Sequence, residues 1–328
     1  MLTEIQPNLF RITVPLPDHP LRTTNSYVIL SKERNLIIDT GWNRLESAEA
    51  LLSGLDELGV TLSRTDLFLT HIHADHAGLL GLFKNNQSKI FCGRRDLECM
   101  DHYINTSKDK SWKTLRDLAI PHGFPIGEME AALAIHPGNQ YAPSSHNHLI
   151  PVDDQDIIIV GNYKFSCLAT PGHTPGHMCL YEPSSKFLIS GDHLLGDFSP
   201  TIAQWNLTDQ YVAAYLASMD RLTDYAVDMV LPGHWHTFKN YHIRIKETKT
   251  YHQHHQAEIL ELFTDGKILT AYQVASCLCN NKKDYQWAFL PVTRKWALVA
   301  DAIAQLCYLR DQGVLNMVID QHHVRWNQ

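Results

Sequence analysis

The 328-residue chain has no CxxC pair, no Gly-x-Gly-x-x-Gly turn, no Walker loop and no Gly-x-Ser-x-Gly elbow. Those absences remove support for dinucleotide, P-loop and serine-nucleophile chemistry. No apolar run approaches the ~18 residues that span a bilayer, so no membrane association is expected. Met1–Pro7 has neither the basic start nor the apolar stretch of a secretory leader, so none is expected. Internal repeats and low-complexity tracts are also missing. Charged residues are sparse at 19%, and 28 basic against 35 acidic residues leave a net charge of −7. That balance excludes a protein that grips nucleic acid with its whole surface, though not one that uses a local patch. The seven cysteines are odd in number and scattered, most of them inside apolar runs such as Lys89-Ile90-Phe91-Cys92. They read as buried free thiols in a reducing cytoplasm, not as a disulfide framework.

What is present is a core and a surplus of histidine. Apolar residues make up 44% of the chain, enough for one large α/β unit with an appendage. Over the first ~165 residues short β-branched runs alternate with amphipathic segments. Tyr27–Leu30 and Asn35–Asp39 predict a hairpin, and Leu45, Ala48, Leu51, Leu52, Leu55 and Leu58 predict a helix stopped at Gly59. Asp66–Thr70 predicts a short buried strand. Residues 94–150 break this rhythm with four prolines and weak helical patterning around 112–119 and 128–135. They read either as a helical insertion over a site or as a surface excursion without a role. A second β-rich block follows from Asp156, and two β-rich halves with helices suggest a sandwich of sheets. From about residue 246 the texture turns helical. A capping box at Thr270–Gln273 and a long face through Trp296, Val299, Ile303 and Leu306 precede an extended stretch at 314–319, a winged-helix-like order. Residues 241–328 carry 10 basic and 8 acidic side chains, net +2, which leaves the preceding part at net −9.

Of the twenty histidines, three lie in Thr70-His71-Ile72-His73-Ala74-Asp75-His76-Ala77-Gly78, directly after the predicted strand. Extended backbone points His71 and His73 the same way, while Asp75 and His76 open a helix and face a second point. At this chain's own frequencies such an HxHxDH run arises by chance in about one chain in two hundred, so it is informative. Imidazole and carboxylate together suit zinc, or iron or manganese. Three further motifs each follow a β-run: Thr170-Pro171-Gly172-His173, Ser190-Gly191-Asp192-His193 and Leu231-Pro232-Gly233-His234. They offer His173, an Asp192 carboxylate able to bridge two cations, and His234. His177 either supports the cluster, donates to substrate or simply packs. His193, His236, the His146/His148 pair, His252, His254, His255, His322 and His323 read as neighbours, packing groups or solvated residues.

Together with Ile38-Asp39-Thr40-Gly41 upstream, these motifs stand in the order found in the metallo-β-lactamase superfamily, which the chain resembles over roughly residues 8–240. The resemblance implies an αββα sandwich with the site at one edge. By motif, one metal takes His71, His73 and His173, a second takes Asp75, His76 and His234, and Asp192 bridges them. Asp39 is expected behind the ligands, supporting them. The tail resembles the branch in which this fold carries a C-terminal winged-helix-like domain, exemplified by the RNA-cutting lactamase-beta-like protein 2. Residues 1–245 then form the catalytic unit, with the 94–150 insertion, and 246–328 the appended domain.

Two divalent ions, zinc first, sharing a water would bring its pKa toward neutrality and deliver hydroxide to a carbonyl or phosphorus, with Asp75 orienting the nucleophile and taking its proton. The net −9 of the catalytic part repels polyanions and favours a small carbonyl substrate: a thioester, ester, lactone or lactam. The alternative is an endoribonuclease acting on single-stranded RNA, with Lys282, Lys283, Arg294 and Lys295 as a phosphate grip or else a solvated loop face. A diiron redox protein ranks last, since that branch has Glu where His73 stands and carries a flavin domain. Trp296 and its neighbours offer a homodimer contact.

Overall fold

The computed structural model describes residues 1–83, 87–105, 112–143, 149–282, 286–320 and 323–328; His146, His148, Lys283 and His322 lie outside the described residues. The expected hairpin is part of a seven-stranded sheet. Its strands run in chain order: β1 (Leu2–Gln6), β2 (Leu9–Pro15), β3 (Thr23–Ile29), β4 (Asn35–Ile38), β5 (Thr65–Leu69), β6 (Ile90–Gly93) and β7 (Leu149–Val152). Pairing is antiparallel through β4 and parallel from β4 to β7. The second sheet comprises β8 (Ile157–Val160), β9 (Tyr163–Ala169), β10 (Met178–Glu182), β11 (Phe187–Gly191) and β12 (Met229–Pro232), in the order β12-β11-β10-β9-β8. Only β11 and β12 pair in parallel there. Strands β10 and β11 are buried at every position, which is why their sequences are continuous apolar runs.

The sheets face one another across a core that includes Tyr27, Phe68, Phe165, Phe187 and Leu231. Helix α1 (Leu45–Glu57) covers the outer face of the first sheet, setting Leu51 and Leu55 among Ile12, Val28 and Leu67. Leu45 and Leu52 of the same predicted stripe point to solvent instead. Along the chain follow α2 (Ala74–Ala77), α3 (Arg94–Asn105), α4 (Lys113–Ala119), α5 (Ile126–Ile135) and α6 (Pro137–Gln140). Then come α7 (Tyr211–Leu222), α8 (Tyr241–Glu261), α9 (Ala271–Asn280) and α10 (Val292–Asp311), and a hairpin of β13 (Asn316–Asp320) and β14 (His323–Asn327) closes the chain. Helix α7 packs Val212, Tyr215 and Met219 on the outer face of the second sheet. The layers are therefore helix, sheet, sheet, helix, as expected, with a C-terminal helical region beyond them.

Packing of that region departs from the sequence reading in three respects. Helices α4 and α5 of the 94–150 insertion share one core with the tail, where Phe124, Met129 and Leu133 meet Val299, Ile303 and Trp326. Trp296 is buried in that same core, so it offers no dimer contact. Lys295, expected on a phosphate-gripping or solvated loop face, is also buried; its Nζ lies 2.9 Å from Glu128 of α5 and over the Trp287 ring. Burying a charge requires such a partner.

Two histidines of α8 also depart from expectation, because one stripe of that helix is packed, whereas His254 is exposed as expected. His252 is buried, and His255 Nε2 lies 2.8 Å from Asp301 Oδ2 of α10. Burial alone would lower the pKa of His255, but the Asp301 carboxylate overrides it and raises it. A raised histidine stabilises the fold fully below its unfolded pKa of about 6.5, and that stability is lost as pH rises through the folded value. Thermal melts between pH 5.5 and 9 should therefore show the stability gap between wild type and His255→Gln widest at the acid end and narrowing toward the basic end. A gap that stays constant with pH would contradict the pairing.

Candidate metal centre

The motif residues meet because of strand direction. β4 and β5 are parallel neighbours, as are β11 and β12, so the C-terminal ends of each pair lie side by side. Asp39 follows β4, Thr70 and His71 follow β5, Asp192 follows β11 and His234 follows β12. Carboxyl ends of parallel strands are where open α/β sheets place their ligands. His173 joins from the loop between β9 and β10.

Three ring nitrogens converge first. His73 Nδ1 is 3.1 Å from His71 Nε2 and 3.0 Å from His173 Nε2. The opposite nitrogens of the outer two rings are already committed. Thr70 donates its hydroxyl hydrogen to Asp39 Oδ2 at 2.7 Å, so it accepts from His71 Nδ1 at 3.0 Å. His173 Nδ1 donates to the Thr201 carbonyl at 3.0 Å. Both Nε2 atoms therefore present lone pairs, and a single hydrogen on His73 Nδ1 can satisfy only one of them. Burial, aided by neighbouring imidazoles, pushes His71 well below its ordinary value and His73 down to about 3, and burial also lowers His173. Three neutral imidazoles aimed at one point form a donor set for a cation.

The second group is Asp75, His76 and His234, with Asp192 between the two. His234 Nε2 lies 3.2 Å from Asp192 Oδ2 and 3.4 Å from Asp75 Oδ2. His76 Nε2 is 3.5 Å from Asp192 Oδ1 and 3.7 Å from Asp75 Oδ2, and His173 Nε2 is 3.7 Å from Asp192 Oδ2. The other nitrogens are again committed: His76 Nδ1 donates to Asp39 Oδ2 at 2.8 Å and His234 Nδ1 to the Thr23 carbonyl at 2.7 Å. His76 Nε2, His234 Nε2 and Asp192 Oδ1 are buried without a hydrogen-bond partner. Such buried polar atoms call for a ligand or ion, and these residues fit divalent cations. Burial opposes protonation here, yet Asp192, Asp39 and Asp75 raise His76 well above its usual value, and Asp192 and Asp75 lift His234 to about 10. The same imidazoles, against the effect of burial, hold Asp75 and Asp192 below the ordinary carboxylate range. A cation loaded at this group would displace protons, so its binding would strengthen as pH rises.

All seven expected side chains thus come together, and both expected supporting residues stand behind them. Asp39 adopts a left-handed φ of 59° as the chain leaves β4, grips His76 directly and steadies His71 through Thr70. His177 is fully buried. Its Nε2 accepts the Asp192 backbone N–H at 3.2 Å, while Nδ1 lies 2.8 Å from Thr170 Oγ1. Glycine is required where backbone crowds the site: a Cβ on Gly233 would sit 2.4 Å from Asp192 Oδ1 and 2.8 Å from His76 Cε1. His193 is buried beside the cluster without joining it, and His236 is exposed.

Sequence reasoning missed several supports. Asn25 Nδ2 donates to the carbonyls of Pro232 and Trp235, both at 2.9 Å, and the Tyr27 hydroxyl donates to Pro232 at 2.8 Å, which pins the loop that carries His234. Thr40 holds the His76 carbonyl through both its N–H and its hydroxyl. Asp96, at the start of α3, accepts from the Ile72 N–H, the Thr174 hydroxyl and the Gly176 N–H. Its burial pushes the carboxyl up to about 6 against those three donors. Nothing local in the sequence marked Asp96. Trp205 stacks on His73 with ring centroids 6.2 Å apart, and the buried Trp42 stacks on Tyr141 at 4.5 Å.

Comparison with known proteins identifies the family. The family model described as the metallo-beta-lactamase superfamily matches residues 19–234, and the chain belongs to that superfamily. It is a metal-dependent hydrolase of that type. The probable metallo-hydrolase YqjP of Bacillus subtilis is 29% identical over 260 residues, covering 74% of this chain and 76% of that protein. The human acyl-coenzyme A thioesterase MBLAC2 is 25% identical over 227 residues, covering 65% and 74%. A crystal structure of a metallo-beta-lactamase family protein from Thermus thermophilus superposes with a TM-score of 0.83 at 24% identity, over 99% of this chain and 100% of that one. The shared fold thus extends through the C-terminal region.

Proposed function

We propose that the chain is a dinuclear zinc hydrolase acting on carbonyl substrates, with acyl thioesters first among them. The observation that carries this reading is the meeting of a three-imidazole group and an imidazole–carboxylate group on either side of Asp192, open to solvent on one side. His71, His73 and His173 would hold one ion, Asp75, His76 and His234 the other, and Asp192 both. Two such ions supply Lewis acidity and bring the pKa of water toward neutrality. The chain's own residues do the rest. Asp75, half-buried on the open side, orients the attacking water and takes its hydrogen. Asp39, Thr70, Thr201 and the Thr23 carbonyl fix the tautomers, so that each of these imidazoles presents a lone pair inward. The Trp205 ring, stacked on His73, would present apolar surface to an acyl group beside the three-imidazole group. Addition of water to the carbonyl and cleavage of the C–S bond, with a proton passing to the departing sulfur, yields acid and thiol.

The name of MBLAC2, an acyl-coenzyme A thioesterase, supports the thioester over the ester, lactone or lactam. In the same reading residues 1–245 are the catalytic unit and 246–328 a winged-helix-like appendage, and the seven free cysteines, five of them buried, fit a reducing cytoplasm. RNA cleavage is the weaker reading, because Lys295 of the supposed grip is committed to Glu128.

The test is a panel of acyl-coenzyme A, S-acyl glutathione, a lactone, a chromogenic β-lactam, a phosphodiester and single-stranded RNA, each with and without chelator. Thioester turnover should lead, disappear on chelation and return with zinc. Turnover that ignores the chelator would overturn the reading. Cleavage of RNA alone, weakening steeply with salt, would replace the substrate class.

A further inference from the structure

Asp96 lies outside both metal groups, yet its carboxylate joins the two backbone segments that supply one of them. It is fully buried. Oδ2 accepts from the Ile72 N–H at 3.1 Å and from the Thr174 hydroxyl at 2.7 Å, and Oδ1 accepts from the Gly176 N–H at 2.5 Å. Ile72 is the residue between His71 and His73, and Thr174 and Gly176 follow His173. The fit leaves no slack: a Cβ on Gly176 would come within 2.2 Å of the Asp96 nitrogen, and one on Gly93 within 2.0 Å of the Gly176 oxygen.

The other group has its own supports. His76 is held by Asp39 and Thr40, and His234 by the Thr23 carbonyl and by Asn25 and Tyr27 through Pro232. None of these bonds involves Asp96.

We propose that Asp96 is a positioning residue for one cation site only: by tying the His71–His73 turn to the His173 loop, it sets the affinity of the three-histidine site and leaves the Asp75–His76–His234 site unaffected. This rests on the two-cation reading above. A single oxygen pair bridging the two loops fixes the separation of His73 from His173 more tightly than either loop could alone, and removing such an outer support typically costs 10- to 100-fold in metal affinity.

The test is a zinc titration of wild type, Asp96→Ala and Asp96→Asn against a competing chromophoric chelator, with metal content measured after dialysis at low free zinc and thermal melts run in parallel. Wild type should load two ions. Asp96→Ala should keep one at wild-type affinity and bind the other about 10- to 100-fold more weakly. Asp96→Asn keeps one accepting oxygen, which in the Oδ2 position can still take the Ile72 and Thr174 bonds but loses the one from Gly176, so it should fall between wild type and Asp96→Ala; it also decides the matter if the alanine variant does not fold. Cobalt(II) loading should show absorption changes confined to one of the two ions. If the variants load two ions with unchanged affinities, even at a lowered melting temperature, Asp96 is a packing group and the inference fails. The same outcome follows if both sites weaken equally. A wild type that loads no ion instead removes the two-cation reading itself.

Discussion

Asp75→Asn should leave a folded protein that hydrolyses thioesters at least about 10³-fold more slowly, a loss of about 4 kcal/mol in transition-state stabilisation. The substitution is isosteric, so packing around α2 is preserved. It also removes a negative charge near Asp192, a like-charge contact that works against both carboxylates. What disappears is the acceptor on the open side, 3.4 Å from His234 Nε2. An amide there offers a neutral oxygen and a pair of hydrogens where the attacking water needs a carboxylate. Circular dichroism and melting establish the fold, and steady-state kinetics measure the loss. Turnover within a few-fold of wild type would exclude Asp75 from the chemistry.

Asp192→Asn should be at least as damaging, and for a different reason. Its carboxylate lies 3.2 Å from His234 Nε2, 3.5 Å from His76 Nε2 and 3.7 Å from His173 Nε2, so it serves both groups of ligands. It is also the leading carboxylate behind the raised pKa values of His76 and His234. Neutralising it lowers those pKa values and weakens the attraction for a divalent ion at both positions. Activity should fall about 10³-fold or more, and metal content should fall with it. The backbone N–H of residue 192 still donates to His177 in the variant, so the β11 turn is retained. An Asp192→Asn protein that keeps two ions and full turnover would show that the carboxylate is not shared.

The catalytic half of this molecule was legible because its ligands occur in local motifs, each directly after a strand. Period-two geometry placed His71 and His73 together, and the rims of parallel strands did the rest. Asp96 was invisible because its partners lie 24, 78 and 80 residues away, and Arg94-Arg95-Asp96 reads as an ordinary charged helix start. The face of α8 was misjudged for a related reason. Tyr241, Ile245, Thr248, His252 and Ile259 form one buried stripe at helical spacing, but the polar threonine and histidine within it hide the periodicity. Lys295 reads as solvent-facing until Glu128, 167 residues earlier, supplies its partner. The insertion was seen as helical, but not as a bridge: α5 contributes to the core of the tail, while α3 sends Asp96 to the ligand loops.

The central claim is best tested by locating the metal directly. Crystals of the purified protein should be measured on both sides of the absorption edge of whichever metal the preparation contains. The account predicts two anomalous peaks, one among His71, His73 and His173 and one among Asp75, His76 and His234, with Asp192 reaching both. A preparation without bound metal after growth in zinc-replete medium, or peaks away from these residues, would contradict it.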